Sequence, residues 1–556
     1  MSISDIFNAA TTGITLQRLA IEVTGENIAN VNTEGYSRQR VILETAQVRE
    51  VANYSLGTGV KLGAIQRSYD DLLQKQIMDA GSTYNQNLAQ QTALNQIEPL
   101  FNELTQDGLG KTIQDFFDSW HDLSLKPQGT AERQTVLARA QIMLDAFHQA
   151  NASLENVKTN ANSSLGAITA DIAEKVKSIA TLNDQIRLAE LSSGASANEL
   201  RDQRDLTIRQ LSEKVGITYF EEQDGSLSVN LVNGQQLVNG SSYGTLYTYP
   251  NASGLNDIFI TQMGNPPAAP DHNLDRNITR LVDGTVGSQG ELGGTFLVRD
   301  GIVPDMQGKL DELAYKIASQ VNEFHRSGWG LSTTSTNLDF FQVTPFNPAT
   351  LNGDTTLNSN IIANIQTTGL RTGMSVSGAG IPANATITEI LNPTSFKISA
   401  PATATGAASP LTIGGGYSKP TAIVMNITDP RDVAAGLATN PPFFGAGDAT
   451  GDNRNALRIA QLMNSSSEFS VGNTTIAGYY SALVSQVGLE TQSLTNVSTR
   501  GEAFLRQLKT LRDSGASVSL DEELTNMIKY QKAFEGSAKM ITTATEMLDI
   551  VLNLVR

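Results

Sequence analysis

The sequence predicts an α+β multidomain protein: a terminal helical coiled-coil domain and an elongated helical bundle formed from both chain ends, with all-β outer domains inserted between them. Three observations lead there. Apolar residues step by four and three at both ends of the chain, several long stretches between carry helical periodicity, and two central regions change to a period of two. With 556 residues the chain also exceeds what one hydrophobic core can hold.

Taken in order, Ile3, Phe7, Ala10, Ile14, Ile21, Ile28 and Val31 form a heptad seam with Gln17 and Thr24 as polar members. Leu16, Leu19, Ala20 and Val23 widen it, as for a helix touching more than one neighbour. The seam stops at ENIANVNTEGYSRQ, residues 26–39. There Asn30 and Asn32 can bond their own backbone, Gly35 permits a left-handed turn, and Tyr36 and Arg38 can anchor the outgoing chain on the body. This stretch reads as a joint between a terminal helix and the body.

RVILET (40–45) and GVKLGAIQRS (59–68) alternate as strands, after which Ser68 with Asp71 opens a long helix toward Phe101. A second helix carries Ile113, Phe116, Phe117 and Trp120, and a third runs from near Thr130 to Ile186. Residues 217 to about 300 read as a β domain and 300–326 return to helix. Between 343 and 418 charge nearly disappears and short strands alternate, predicting an outward-projecting β insert. Helix resumes at Asn455 and continues through Tyr479, Leu483, Val487 and Leu505.

The last seam comprises Leu520, Leu524, Met527, Gln531, Phe534, Ala538, Ile541, Thr545, Leu548, Leu552 and Val555, and Gln531 and Thr545 read as polar residues that set register. Ser519 and Glu522 have capping-box spacing, and Asp521, Glu522 and Glu523 suit the helix dipole. The expected division is a terminal domain of 1–35 with 516–556, a helical body of 36–215 with 300–342 and 419–515, a β domain over 216–299 and a small β module over 343–418. Burying nine seam side chains offers about 18 kcal/mol, less than the roughly 36–72 kcal/mol that ordering about 36 residues of the C-terminal helix costs at about 1–2 kcal/mol each. The termini are therefore expected to pair with each other and with neighbouring copies, and to order on assembly.

A net charge of −17 repels phosphate backbones and anionic lipid heads, so the partners are expected to be proteins, not nucleic acid or membrane. The chain has no cysteine, which removes disulfides, thiolate metal sites and Cys nucleophiles. No cleavable signal or membrane span is evident, which by itself suggests a cytosolic protein, although export without a cleavable signal would look the same. Gly240, Ser242 and Gly244 match G-x-S-x-G, but TLYTYP follows as a strand where a nucleophile elbow needs a helix, so a β-turn is expected. His121, His148, His272 and His325 lack metal-site spacing, with His325 reading as a helix-terminal residue. Asp448 and Asp452 lack EF-hand spacing and read as a loop before a helix capped by Asp452 or Asn453. No cofactor, small-molecule substrate or enzyme activity is expected.

Asn27, Ile28, Ala29, Asn30, Asn32, Thr33, Gly35, Tyr36, Ser37 and Arg38 resemble the N-terminal signature of the bacterial flagellar axial proteins, the rod, hook and hook-associated family. The C-terminal segment, with Tyr530, Gln531, Ala533, Phe534, Ser537 and Ala538, resembles that family's other end. Rod and hook members share both motifs. ELRDQRDLTIRQLSEKVGI (199–217), ELGGTFLVRDGIVPDMQGKLDELAYKIASQVNEFHRSG (291–328), ITDPRDVAAG (427–436) and GDNRNALRIAQL (451–462) resemble the hook-associated branch instead. The 343–418 stretch departs from the family pattern and is similar to small β modules of phage tail and bacterial surface proteins; an adhesive insert on a flagellar scaffold is the alternative reading. The resemblance implies a structural subunit at the junction of hook and filament, secreted by the flagellar type III route and polymerised through its terminal helices. It also implies a ring of copies at the hook tip, contacts with hook protein and the third hook-associated protein, and a cytosolic export chaperone on the C-terminal helix.

Overall fold

The computed structural model describes residues 3–554 apart from 52–53, 58, 102–107, 252, 262–265, 272–274, 283–288, 332–334, 344–348, 368–369, 371–373, 384, 393, 415–419, 438–450 and 470–471. The N-terminal apolar periodicity folds as α1 (Ile3–Ala29) and the C-terminal one as α11 (Leu520–Leu554), and the two pack together. After α1, β1 (Gln39–Thr45) pairs antiparallel with β4 (Val60–Arg67), and the hairpin β2 (Val48–Val51) with β3 (Tyr54–Gly57) lies between them in sequence. The body follows with α2 (Asp71–Phe101), α3 (Leu109–Leu125), α4 (Thr130–Ser193) and α5 (Asn198–Lys214). At the start of α2 the expected Ser68–Asp71 box is not the cap. Asp70 Oδ1 accepts from the Leu73 N–H, while Ser68 Oγ donates to the Gly515 carbonyl and ties the strand to the end of the helix that precedes α11.

Antiparallel β5 (Ile217–Glu221), β6 (Leu227–Leu231), β7 (Gln236–Asn239) and β8 (Ser242–Tyr243) form one sheet; β9 (Thr245–Pro250), β10 (Asn256–Thr261) and β11 (Asp275–Asn277) form another, followed by the short α6 (Thr279–Val282). Ser242 lies in the β7–β8 hairpin after Gly240 at φ 57°, a turn with no helix behind it. Helix returns at α7 (Gly290–Phe296), earlier than position 300, passes through a π-turn (Leu297–Ile302) and continues as α8 (Val303–Ser327). GELGGTF lies in the stretch expected to be β, yet its glycines serve close helix packing: a Cβ on Gly294 would lie 2.4 Å from the Gln86 carbonyl of α2.

β12 (Phe341–Val343) leaves the body and β19 (Ile423–Met425) returns beside it, so the insert is carried on one antiparallel pair. The insert consists of β13 (Ala349–Thr355), β14 (Ile361–Ile362), β15 (Ser375–Gly378), β16 (Ala385–Asn392), β17 (Ser395–Ile398) and β18 (Gly406–Gly414), in sheet order β13-β18-β15-β16-β17-β14. Reciprocal backbone hydrogen bonds between Asp354 and Ala363 join the two outer strands and curl the sheet on itself around Met374, Phe396 and Leu411.

From Arg454 helix does not run on unbroken. α9 (Arg454–Gln461) gives way to a hairpin, β20 (Ser466–Phe469) with β21 (Gly472–Thr475), before α10 (Ile476–Ala516) begins. The Ser and Thr of this stretch are poor helix formers, and Thr475 Oγ1 accepts the Gly478 N–H as the α10 cap. Asp448 lies outside the described residues; the Asp452 carboxylate accepts the Arg454 N–H at the start of α9.

Two large cores hold the body, with a smaller cluster of Leu73, Ile77, Leu505 and Leu508 beside them. One joins Trp120, Phe116, Phe147, Leu154, Val303 and Leu310 with Ile476 and Leu483; the other joins Leu165 to Ile179 of α4 with Leu211, Val229, Ile258 and Phe296. His325 sits in the last turn of α8, as its helix-terminal reading expects. It is buried at the base of the insert, its Nδ1–H donating to the Leu338 carbonyl at 2.7 Å and its Nε2 accepting the Ala434 N–H at 3.0 Å. Burial pushes its pKa down to about 4, so it is neutral there.

Candidate subunit-assembly site

α1 and α11 run antiparallel, Gly13 against Ser537 at one level and Asn27 against Glu523 at another. The face α1 buries is Ala10, Gly13, Leu16, Ala20, Val23, Thr24 and Asn27: Ala10 and Thr24 come from the expected seam, Leu16, Ala20 and Val23 from its expected widening, and Gly13 and Asn27 are additions. Phe7, Ile14, Ile21, Ile28 and Val31 flank it half-buried; Ile3 belongs to α1, but its side chain lies outside what is described. Small residues decide the phase. A Cβ on Gly13 would stand 3.0 Å from Ser537 Oγ, so the helices approach where side chains are smallest.

On α11 the inner face is Glu523, Met527, Tyr530, Phe534, Ser537, Ile541 and Ala544. Of the expected seam, Met527, Phe534 and Ile541 are thus half-buried, while Leu520, Leu524, Leu548 and Leu552 are 40–58% exposed. Ile528, Ile550 and Val551 extend that outer apolar surface. Val555 lies outside the described residues. Gln531 and Thr545 are exposed, not buried in the seam, and Thr545 Oγ1 donates to its own helix at Ile541. They do not set the register of this pair.

The joint is a hydrogen-bonded knot. α1 ends at Ala29; Asn30 Nδ2 donates back to the Glu26 carbonyl, Thr33 Oγ1 donates to Asn30 Oδ1, and Asn32 is exposed. Gly35 takes φ 86°, and a Cβ there would meet Leu206 of α5 at 3.1 Å. Asn27 is 1% exposed: its Nδ2 donates to the Gln39 carbonyl and Glu523 Oε2, and its Oδ1 accepts from Tyr36 Oη and the Gln39 N–H, all within 2.9–3.0 Å. Arg38, expected to anchor the chain on the body, reaches the other way: its Nε donates to Glu523 Oε1 at 2.8 Å and Nη1 to Glu522 Oε2 at 2.7 Å. Burial lowers the Arg38 pKa, but these carboxylates outweigh it and raise it overall.

The body grips the joint from α5. Asp202 accepts the Ser37 N–H at 2.9 Å, and Arg67 Nη1 bridges Asp202 and Asp205 at 2.7 and 2.8 Å. Burial raises both carboxyls above their ordinary range, and Arg67 offsets this only in part. Asn198 Nδ2 donates to the Gln39 side chain and the Ile65 carbonyl. These α5 residues had no assigned role in the sequence; their one signal was RDQRD, quoted as a resemblance. Glu522 and Glu523 were read as dipole and capping charges, because nothing local shows that Arg38 would reach them.

Among the described residues no cluster of His, Asp or Glu converges as a metal site, and no helix is long and apolar enough to cross a membrane. The model of the flagellar hook-associated protein FlgK helical domain matches residues 94–341, that of the flagella basal body rod protein matches 7–36, and that of the flagellar basal body rod FlgEFG protein C-terminal matches 513–554. Flagellar hook-associated protein 1 of Salmonella typhimurium is 27% identical over 99% of this chain and 100% of its own length. The protein of that name from Bacillus subtilis is 26% identical over 97% and 96%. The flagellar hook junction protein FlgK from Burkholderia pseudomallei shares the fold, with a TM-score of 0.60, 18% identity, and coverage of 80% of this chain and 100% of that one. Through the two terminal matches, the central match and relatives alignable end to end, the chain matches the flagellar hook-associated protein 1 family.

Proposed function

We propose that this chain is a structural axial subunit at the junction between flagellar hook and filament, exported by the flagellar type III route to the cell exterior and polymerised through its terminal helices. One observation carries the mechanism. α11 turns Met527, Tyr530, Phe534, Ser537, Ile541 and Ala544 toward α1 and leaves a second set of large apolar residues, Leu524, Ile528, Leu548, Val551 and Leu552, facing outward. Each such side chain contributes about 1–2 kcal/mol when covered, and neighbouring copies in a ring at the hook tip are the cover. Residues 1–35 with 516–556 form the inner layer, the helical body spaces the subunits, and the 216–299 and 343–418 β regions face outward. Hook protein on one side, the third hook-associated protein on the other, and a cytosolic chaperone on α11 before export are the partners of this reading.

Its test is deletion of residues 520–556. Cells carrying the truncated chain should build hooks without filaments; filaments still seated on those hooks would sink the mechanism.

A further inference from the structure

The two body cores part company at one level, and there α4, the α7–α8 helix and α10 carry weak helical stretches while α2 runs through unbroken. The first core takes α4 as far as Val157 and the α8 side from Val298; the second takes α4 from Leu165 and α7 as far as Phe296. Between them α4 reads Asn160-Ala-Asn-Ser-Ser-Leu-Gly166, mostly poor helix formers. Beside it lies the π-turn Leu297–Ile302, held level by Arg299 Nη1, which donates to Asn162 Oδ1 at 3.0 Å. Gly301 in that turn has open space where a side chain would stand. α10 crosses where Gln91 Nε2 donates to Thr495 Oγ1, within TQSLTNVSTRG (491–501). A groove of about 310 Å³ opens at the same level, lined by residues including Ala89, Thr92, Ala161, Ser164, Thr295 and Val298.

Sharp helix bends concentrate at Gly/Ser pairs and π-bulges, and a gap in packing removes the dispersion contacts that resist them. We infer that the helical body bends here as a hinge, α4 flexing over Asn160–Gly166 against the π-turn, with the groove opening and closing between them. On one side stand the joint and the terminal pair, gripped through α5; on the other stands the half that carries the insert. The hinge lets subunits anchored in a rigid inner layer follow a bending support. That purpose rests on the junction reading; the motion does not.

Because the chain has no cysteine, the full-length variant Ile142→Cys/Leu188→Cys takes one dye pair on exposed α4 positions either side of the hinge. A straight helix sets the pair about 70 Å apart. Single-molecule energy transfer should show a broad, shortened distance distribution, narrowing toward the straight value when Gly166→Ala is combined with deletion of Gly301. Equal widths in the two proteins would overturn the hinge. Native-state hydrogen exchange supplies a second reading without substitutions. Amides 160–166 and 297–301 should exchange about tenfold faster than those of 140–146; matching rates would also overturn it. Both measurements use the isolated chain, so their failure is separable from failure of the 520–556 deletion.

Discussion

Arg38 and Glu523 show what single side chains contribute at the joint. The Arg38 side chain is 8% exposed and that of Glu523 3%, so removing one leaves the other charged and buried. Arg38→Met is expected to destabilise the terminal pair by about 3–5 kcal/mol. Arg38→Met with Glu523→Leu should recover much of that loss, because no stranded charge remains; a double variant worse than the single, by urea unfolding of the helical signal, would contradict this. His325 acts on the body through pH. Unfolded, its imidazole takes a proton near 6.5, whereas the buried ring resists until about 4. Between those values the unfolded state binds more protons, so stability is complete above 6.5 and falls as pH drops toward 4, by about 3 kcal/mol at most. Urea midpoints at pH 7 and 4.5 should differ more in the wild type than in His325→Gln.

On α11, two faces of one helix do different work. The inner face meets α1 through Ser537 and Ala544, and the outer one carries Leu524, Ile528 and Leu548. Leu524→Ser, Ile528→Ser and Leu548→Ser together should change the stability of the isolated chain by no more than about 0.5 kcal/mol per site, yet abolish filament attachment. Gly13→Leu should do the reverse first, forcing α1 from α11 and lowering thermal stability, because even a Cβ added at this position would stand 3.0 Å from Ser537 Oγ. Thermal melting beside counts of filamented hooks separates the two outcomes.

Across the molecule, cores define what can be removed. The insert packs around its own cluster, from Ile362 to Ile413, and joins the body through the β12–β19 pair. Replacing 349–414 by a short Gly-Ser linker should therefore leave the melting temperature of the body within a few degrees; a collapse of the helical transition would show that the module is part of the body core. The terminal pair is coupled differently. It reaches the body through polar contacts of α5 with 35–39 and Arg67, so its orientation is set by directional hydrogen bonds rather than by a shared core.

What sequence alone determined was whatever repeats along the chain: both terminal helices, the alternation that makes the β regions, and the stop at Asn30 to Gly35 are local patterns with local causes. Family resemblance added the role. Long-range partners were not legible, and they carry the site. That Arg38 would turn toward Glu523 and not the body, that α5 would supply Asp202 and Asp205, and that GELGGTF would be helix and not part of the β domain all depend on segments far away in sequence. The seam phase is the clearest case. Heptad reading weighs large apolar residues and so passes over Gly13 and Asn27, whereas only tertiary packing brings Gly13 against Ser537 and Asn27 against Glu523 and leaves Leu524, Leu548 and Leu552 of α11 exposed.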